Sequence, residues 1–321
     1  MMHVLRPAAS ARRTLFVIAL AWLVLIAGCA RMPSTGITTL KPRSYGELEQ
    51  YLLTHKPGVD EFRLRGPFEV TTRTDHAVAL PGSLRVSGDL YLSAAPGKAP
   101  LVILLHGYDN SKDDHAYQAM HLATWGMHTF AVDLPNHGPW VRNGRTLASL
   151  VDAIQKRPEL LDSRVDPRRI VLVGHSFGAF SVVVALSDGA SVAGGVLLDP
   201  ASAGSKVLPG YLRKVDKPVM VIGADEHVSA ARDRSDFYRH VRAGVAEVSV
   251  HGAVHEDAQF ALETGTVSFS GDVPTEEHQV TFVSALTAAA FSLAAGGGLD
   301  YAWTSLSDAI RSGRFTDPRK K

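Results

Sequence analysis

The residues best suited to covalent chemistry lie in Gly174-His175-Ser176-Phe177-Gly178, a G-x-S-x-G run. It is preceded by a β-branched stretch, residues 170–173, of the kind that forms a strand buried on both faces. It is followed by a continuous apolar run, residues 179–186, that suits a buried helix. A serine held at a sharp strand-to-helix turn takes a strained backbone, and side chains two positions to either side would strike the neighbouring strand or helix. Glycine removes both clashes. The turn lifts the Ser176 hydroxyl clear of the sheet, above a helix N-terminus that favours developing negative charge. The chemistry implied is attack by a serine oxygen, which needs a base to take its proton and a third group to orient that base.

Candidates for those partners follow other apolar runs. Leu198 is followed by Asp199-Pro200-Ala201, and Ile222 by Gly223-Ala224-Asp225-Glu226-His227. Either aspartate could orient a histidine. A base that comes last in the chain points to Ser249-Val250-His251-Gly252-Ala253-Val254-His255-Glu256-Asp257, which offers two of the 14 histidines. His251 reads as still within a strand, where it packs or satisfies a backbone group.

The elements that must position these residues alternate. Residues 68–74 and 84–92 read as antiparallel strands divided by the Pro81-Gly82 turn. From residue 101 the pattern becomes buried strands at 101–105, 129–132, 170–173, 195–198, 219–222 and 247–250, with helices between them at 114–125 and 147–161 among others. Helices are also expected over 279–293 and 302–311. Strands alternating with helices imply an α/β architecture, a mostly parallel central sheet with helices on both faces. In such sheets ligand chemistry gathers at the carboxyl ends of the strands, where the serine, both aspartates and the histidines fall. The polar, turn-rich segment 265–277 reads as an edge of that site.

The antiparallel opening, the parallel units and the central serine turn resemble the α/β-hydrolase fold. The resemblance implies an oxyanion hole built from the backbone N–H of Tyr108, after His106-Gly107, and that of Phe177, with the Tyr108 ring as a wall beside the acyl group. It also implies that Asp133, in Asp133-Leu134-Pro135-Asn136-His137-Gly138, is a structural acceptor and His137 a surface residue. Most members of the fold carry the acid after the later strand, which favours Asp225. Cutinases share the G-A-D, but their working acid lies two residues further on, where this chain has His227. The words GHSFG and LLD, and the spacing from serine to acid and base, resemble the platelet-activating-factor acetylhydrolases, which use the earlier strand. Chlorophyllases show a similar L-D-P. Asp199 is therefore the expected acid, with Asp225 the alternative. His255, in G-A-V-H-E-D, resembles the G-x-x-H of the acetylhydrolases and is the expected base.

The N-terminus carries a different signal. Arg6, Arg12 and Arg13 precede the apolar run 14–27, which closes on Leu25-Ile26-Ala27-Gly28-Cys29. The run is short for a membrane span and reads as a secretory signal. Its end resembles the lipobox of bacterial lipoproteins, with Cys29 as the lipidated residue. Cys29 is the single cysteine of the chain, so an internal disulfide is excluded. Residue 30 is not acidic, which by resemblance to enterobacterial sorting implies the periplasmic side of the outer membrane; a secreted protein is the alternative. The expected organisation is a signal at 1–29, a tether and short helix at 30–66, a hydrolase domain at 67–316 and a frayed basic tail at 317–321. The helix is expected to open at Ser44, with Glu47 completing a capping box.

Composition narrows the function. A net charge of +1 without basic blocks argues against nucleic acid as a partner. No zinc spacing, phosphate loop or dinucleotide fingerprint occurs, so no metal and no cofactor are expected. The expected partners are a small ester, water and, through the lipid, a membrane. The resulting expectation is a serine carboxylic-ester hydrolase acting on lipid-like or short-acyl esters through an acyl-enzyme. The alternatives are a serine peptidase or thioesterase, and a non-catalytic envelope lipoprotein that uses the scaffold for binding. Because the base must be neutral, activity should collapse below about pH 6, near the reference histidine pKa.

Overall fold

The computed structural model describes residues 41–133, 140–202, 204–225, 234–262 and 273–321. The expected signal with Cys29 and the expected tether up to residue 40 lie outside those residues, as do His137, His227 and most of the 265–277 segment. Helix α1 (Tyr45–His55) is followed by β1 (Val70–Ala79), β2 (Arg85–Ser93) and β3 (Ala99–Leu105). Then come α2 (Ala116–Thr124), β4 (His128–Asp133), α3 (Trp140–Lys156), β5 (Val165–His175) and α4 (Phe177–Ser187). The second half adds β6 (Gly194–Leu198), α5 (Leu208–Leu212), β7 (Val219–Ala224), α6 (Ser235–His240) and β8 (Val245–Val250). Helices α7 (Glu276–Ala294) and α8 (Asp300–Arg311) and strand β9 (Phe315–Lys320) close the chain.

The strands form one sheet in the order β1-β2-β4-β3-β5-β6-β7-β8-β9. The pairs from β4 through β8 are parallel, and β1, β2 and β9 are antiparallel to their neighbours. Period-two alternation divides the strand residues between two cores. Ile103, Leu172, Leu197 and Val221 face α3 to α6, while Leu104, Val171, Val196 and Met220 face α1, α7 and α8. Burial on both faces is why the central strands read as unbroken apolar runs. Register brings the carboxyl ends together: Leu105 pairs with Gly174, His175 with Leu198, Leu198 with Ile222, and Ala224 with Val250. Ser176, Asp199, Asp225 and His251 therefore emerge along one edge.

Four expectations need correction. Ser44 does cap α1, its Oγ accepting from Glu47 N, but the Glu47 carboxylate accepts from Arg43 N, one residue before the cap. The helix is also part of the domain, since Tyr45, Leu48 and Leu52 are buried in the main core. The expected helix 147–161 begins at Trp140 and stops at Lys156, because Pro158 cannot continue it. Finally, residues 317–321 are no frayed tail. Strand β9 pairs with β8, and Arg319 donates from Nε to Glu247 at 3.0 Å. Among the described residues no helix is long and apolar enough to cross a membrane.

Three of the buried histidines belong to this scaffold. Burial pushes His115, His121 and His128 down to about 4. His128 stays neutral while Nδ1 accepts from Ser93 N, and His121 Nε2 donates to Phe62 O. In the unfolded chain these groups titrate near 6.5. Between about pH 6.5 and 4 the unfolded state therefore binds the extra protons. Stability present at neutral pH is lost as the pH falls, up to about 3 kcal/mol per histidine. The urea midpoint is expected to drop steeply from pH 7 to pH 5, and His121→Gln should flatten that drop. A midpoint constant over this range would contradict the burial of neutral imidazoles.

Candidate active site

Ser176 has φ 53° and ψ −120° and links the end of β5 to α4. Its N–H donates to Leu198 O, and its carbonyl accepts from Ala179 N and Ala201 N. The flanking glycines are sterically required. A Cβ on Gly174 would lie 2.5 Å from Gly178 C, and one on Gly178 would lie 2.4 Å from His106 O. The serine turn is thus packed against the end of β3 as well as against its own helix. Gly107 is equally close: a Cβ there would come within 2.8 Å of Ser176 Cβ. The backbone leading into Tyr108 therefore runs directly beside the serine. Phe177 occupies the first turn of α4, where N–H groups have no intrahelical partner.

The two candidate acids part company. Asp199, 1% exposed and at φ 33°, lies where β6 ends. Its Oδ2 accepts from His255 Nδ1 at 2.5 Å, and its Oδ1 accepts from Ala224 N at 2.9 Å and Arg234 Nη1 at 2.5 Å. Burial alone would raise its pKa. The hydrogen bond from His255, the charges of His255 and Arg234 and the Ala224 N–H outweigh it and hold the carboxyl below the ordinary range. Asp225 instead accepts from Gly252 N at 2.6 Å, His251 Nδ1 at 3.0 Å and Thr316 Oγ1 at 3.1 Å. It fixes the turn after β8 and ties that turn to β9. His251 is not a packed strand residue: it lies beyond the strand end, with a largely exposed side chain on Asp225.

His255 opens a short 3-10 turn, His255–Ala258. Asp257 anchors that turn, accepting from Val254 N at 2.8 Å, Thr275 N at 2.7 Å and His278 Nδ1 at 3.1 Å. The imidazole of His255 packs on His175, the residue preceding the serine, with ring centroids 4.6 Å apart. Burial drives the His175 pKa well down, and the neighbouring His255 and His115 push the same way. His175 thus stays neutral between them. Asp133 accepts from Lys112 N at 2.9 Å, the structural part expected of it.

Several residues that position this site were not singled out from the sequence. Asn110 donates to Gln259 at 2.8 Å and Gln118 to Ala258 O at 3.0 Å, joining the Tyr108 loop and α2 to the histidine segment. The Trp140 ring stacks on Phe177, with centroids 4.7 Å apart and planes 6° from parallel, and its edge meets the half-exposed Tyr108. Arg234, buried beneath Asp199, is another. Its one sequence signal is Gly223 inside a strand, since a Cβ there would lie 2.2 Å from the Arg234 guanidinium carbon. Among the described residues no group of three or more His, Cys, Asp or Glu side chains is arranged to hold a metal ion.

With the fold and this geometry established, comparison with known proteins defines the class. A model of the alpha/beta hydrolase family matches residues 102–313, from β3 through α8, and the chain belongs to that family. No individually curated protein matches the sequence.

The steric account of the serine turn is open to direct test. Gly178→Ala forces a methyl group against the His106 carbonyl, and overpacking of this kind costs about 1–3 kcal/mol. Urea unfolding should show that loss. A variant as stable as the parent would mean the turn has room.

Proposed function

We propose that this hydrolase-family protein is a serine carboxylic-ester hydrolase in which Ser176 is the nucleophile, His255 the general base and Asp199 the acid that orients it. The observation carrying this reading is the 2.5 Å hydrogen bond from His255 Nδ1 to a buried carboxylate, with the same imidazole packed at a tilt on His175 beside the serine. In this reading Ser176 Oγ attacks the ester carbonyl as His255 takes its proton, and Asp199 holds the Nδ1–H tautomer and stabilises the imidazolium. The N–H groups of Tyr108 and Phe177 bind the oxygen as it becomes negative, each donor worth about 3 kcal/mol of barrier. Protonated His255 then gives its proton to the leaving alcohol. Water releases the acyl group by the reverse sequence. The aromatic surface of Tyr108, Trp140 and Phe177 favours an apolar ester, lipid-like or short-acyl. We further propose that the protein is held in the cell envelope by a lipid on Cys29.

Turnover of p-nitrophenyl esters across acyl lengths tests the assignment. Asp199→Asn should lower kcat by about 10³-fold or more, because the amide supports the wrong imidazole tautomer. Asp225→Asn should leave kcat within a few fold and reduce stability by about 1–2 kcal/mol through the lost hydrogen bonds of the turn. The reverse pattern would make Asp225 the acid. For the anchor, labelled palmitate should enter the full-length chain expressed in a bacterial envelope and be absent from Cys29→Ala. Labelling that survives this substitution would contradict the anchor.

A further inference from the structure

Asp199 has a cation behind it. Arg234 Nη1 donates to Asp199 Oδ1 and to Ala224 O, both at 2.5 Å, and Nη2 donates to Ser249 Oγ at 2.8 Å. Its Nε lies 3.7 Å from Glu247 Oε1, and the other oxygen of Glu247 accepts from Arg319 Nη2 at 2.8 Å. Arg234, Asp199 and Glu247 are each at least nine-tenths buried. A row of alternating charge therefore runs from β9 inward: Arg319, Glu247, Arg234, Asp199, His255. The place is built for it, since a Cβ on Gly223 of β7 would collide with the guanidinium.

We propose that Arg234 is a positioning residue, a buried cation that aims the Asp199 carboxylate at His255 and sets how readily that histidine takes a proton, with Glu247 trimming the charge Arg234 delivers. The inference rests on the reading of Ser176, His255 and Asp199 as the catalytic set. A carboxylate taken out of water must be paired and hydrogen-bonded. Arg234 does both at Oδ1, which leaves Oδ2 directed at the imidazole. The planar fork spans three acceptors on the ends of β6, β7 and β8 at once, a geometry that a lysine ammonium cannot reproduce.

The charge has a second consequence. A cation beyond a carboxylate weakens that carboxylate's pull on a positive charge in front of it, and Arg234 stands in that place behind Asp199. Glu247 opposes Arg234 and is itself held by Arg319. The charged and titratable groups around the site include Asp199 from β6, His175 from β5 with His115 and His106 behind it, Glu256 and Asp257 on the turn of His255 itself, and Arg234 with Glu247 and Arg319 from the far side. His175 and His115 are neutral, so the carboxylates and guanidinium groups set the field at His255.

The test follows kcat/KM for p-nitrophenyl acetate from pH 5 to pH 9. Wild type and Ser176→Ala come first: hydrolysis that is absent from wild type, or that survives Ser176→Ala, ends the underlying reading and Arg234's role with it. In an active enzyme dependent on Ser176, Arg234→Met should slow turnover at least about tenfold and move the acid limb up by about one pH unit. Arg234→Lys, which keeps the charge, should hold the limb within about 0.3 unit of wild type while losing rate, because the fork is gone. Glu247→Gln should move the limb down, opposite to Arg234→Met. A purely structural arginine would cost rate in Arg234→Met without shifting the limb, and that result overturns the proposal. Should Arg234→Met fail to fold, Glu247→Gln decides: a limb that stays in place or rises overturns it.

Discussion

Ser176 and Asp199 both hold positive φ, 53° and 33°, in side-chain-bearing residues. Such conformations cost about 1–3 kcal/mol each and persist only where the surroundings over-determine them. For Ser176 the constraint is steric closure. Gly174, Gly178 and Gly107 let the ends of β3 and β5 and the start of α4 come within contact of one another, where an added Cβ would collide. For Asp199 the constraint is hydrogen bonding, with its own N–H given to Ile222 O and its carboxylate met by Ala224 N, Arg234 and His255. The parallel register from β3 to β8 makes both possible, because it brings adjacent strand ends to one edge. Two buried cores, one on each face of the sheet, keep that edge in place.

Electrostatics sets the second condition. Charge alternates beneath the site along one row, from the partly exposed Arg319 on β9 through buried Glu247, Arg234 and Asp199 to His255. Removing one member of such a row leaves its neighbour buried and unpaired, a larger loss than the pair itself contributes. The final strand is therefore tied to the site through charge as well as pairing. Asp225 gives a second tie, through Thr316, to the turn that precedes His255.

How much of this was legible depends on how local each cause is. The serine turn was legible because its requirements fall within five residues and are steric. The central strands were legible because burial on both faces leaves continuous apolar runs. The residues alone left Asp199 and Asp225 both open, since both end adjacent parallel strands, and only the resemblance favoured Asp199. The choice turns on the path of residues 251–255, where Asp225 is occupied by Gly252 N and His251 while Asp199 meets His255. Strand β9 was hidden because Phe-Thr-Asp-Pro-Arg-Lys is polar and carries a proline, the composition of an edge strand and of a frayed end alike. Arg234 was hidden because its partners come from three other strand ends, and a lone glycine in β7 is a faint mark of a guanidinium beside it.

The central claim is that a hydroxyl, an imidazole and a buried carboxylate from three strand ends act as one unit. Reaction of the folded protein with a fluorophosphonate, followed by mass spectrometry of the proteolytic peptides, tests it most directly. One adduct is expected, on the peptide containing Ser176, and it should not form in urea or in His255→Ala. An adduct on another residue, or no adduct on the folded protein, would contradict the claim.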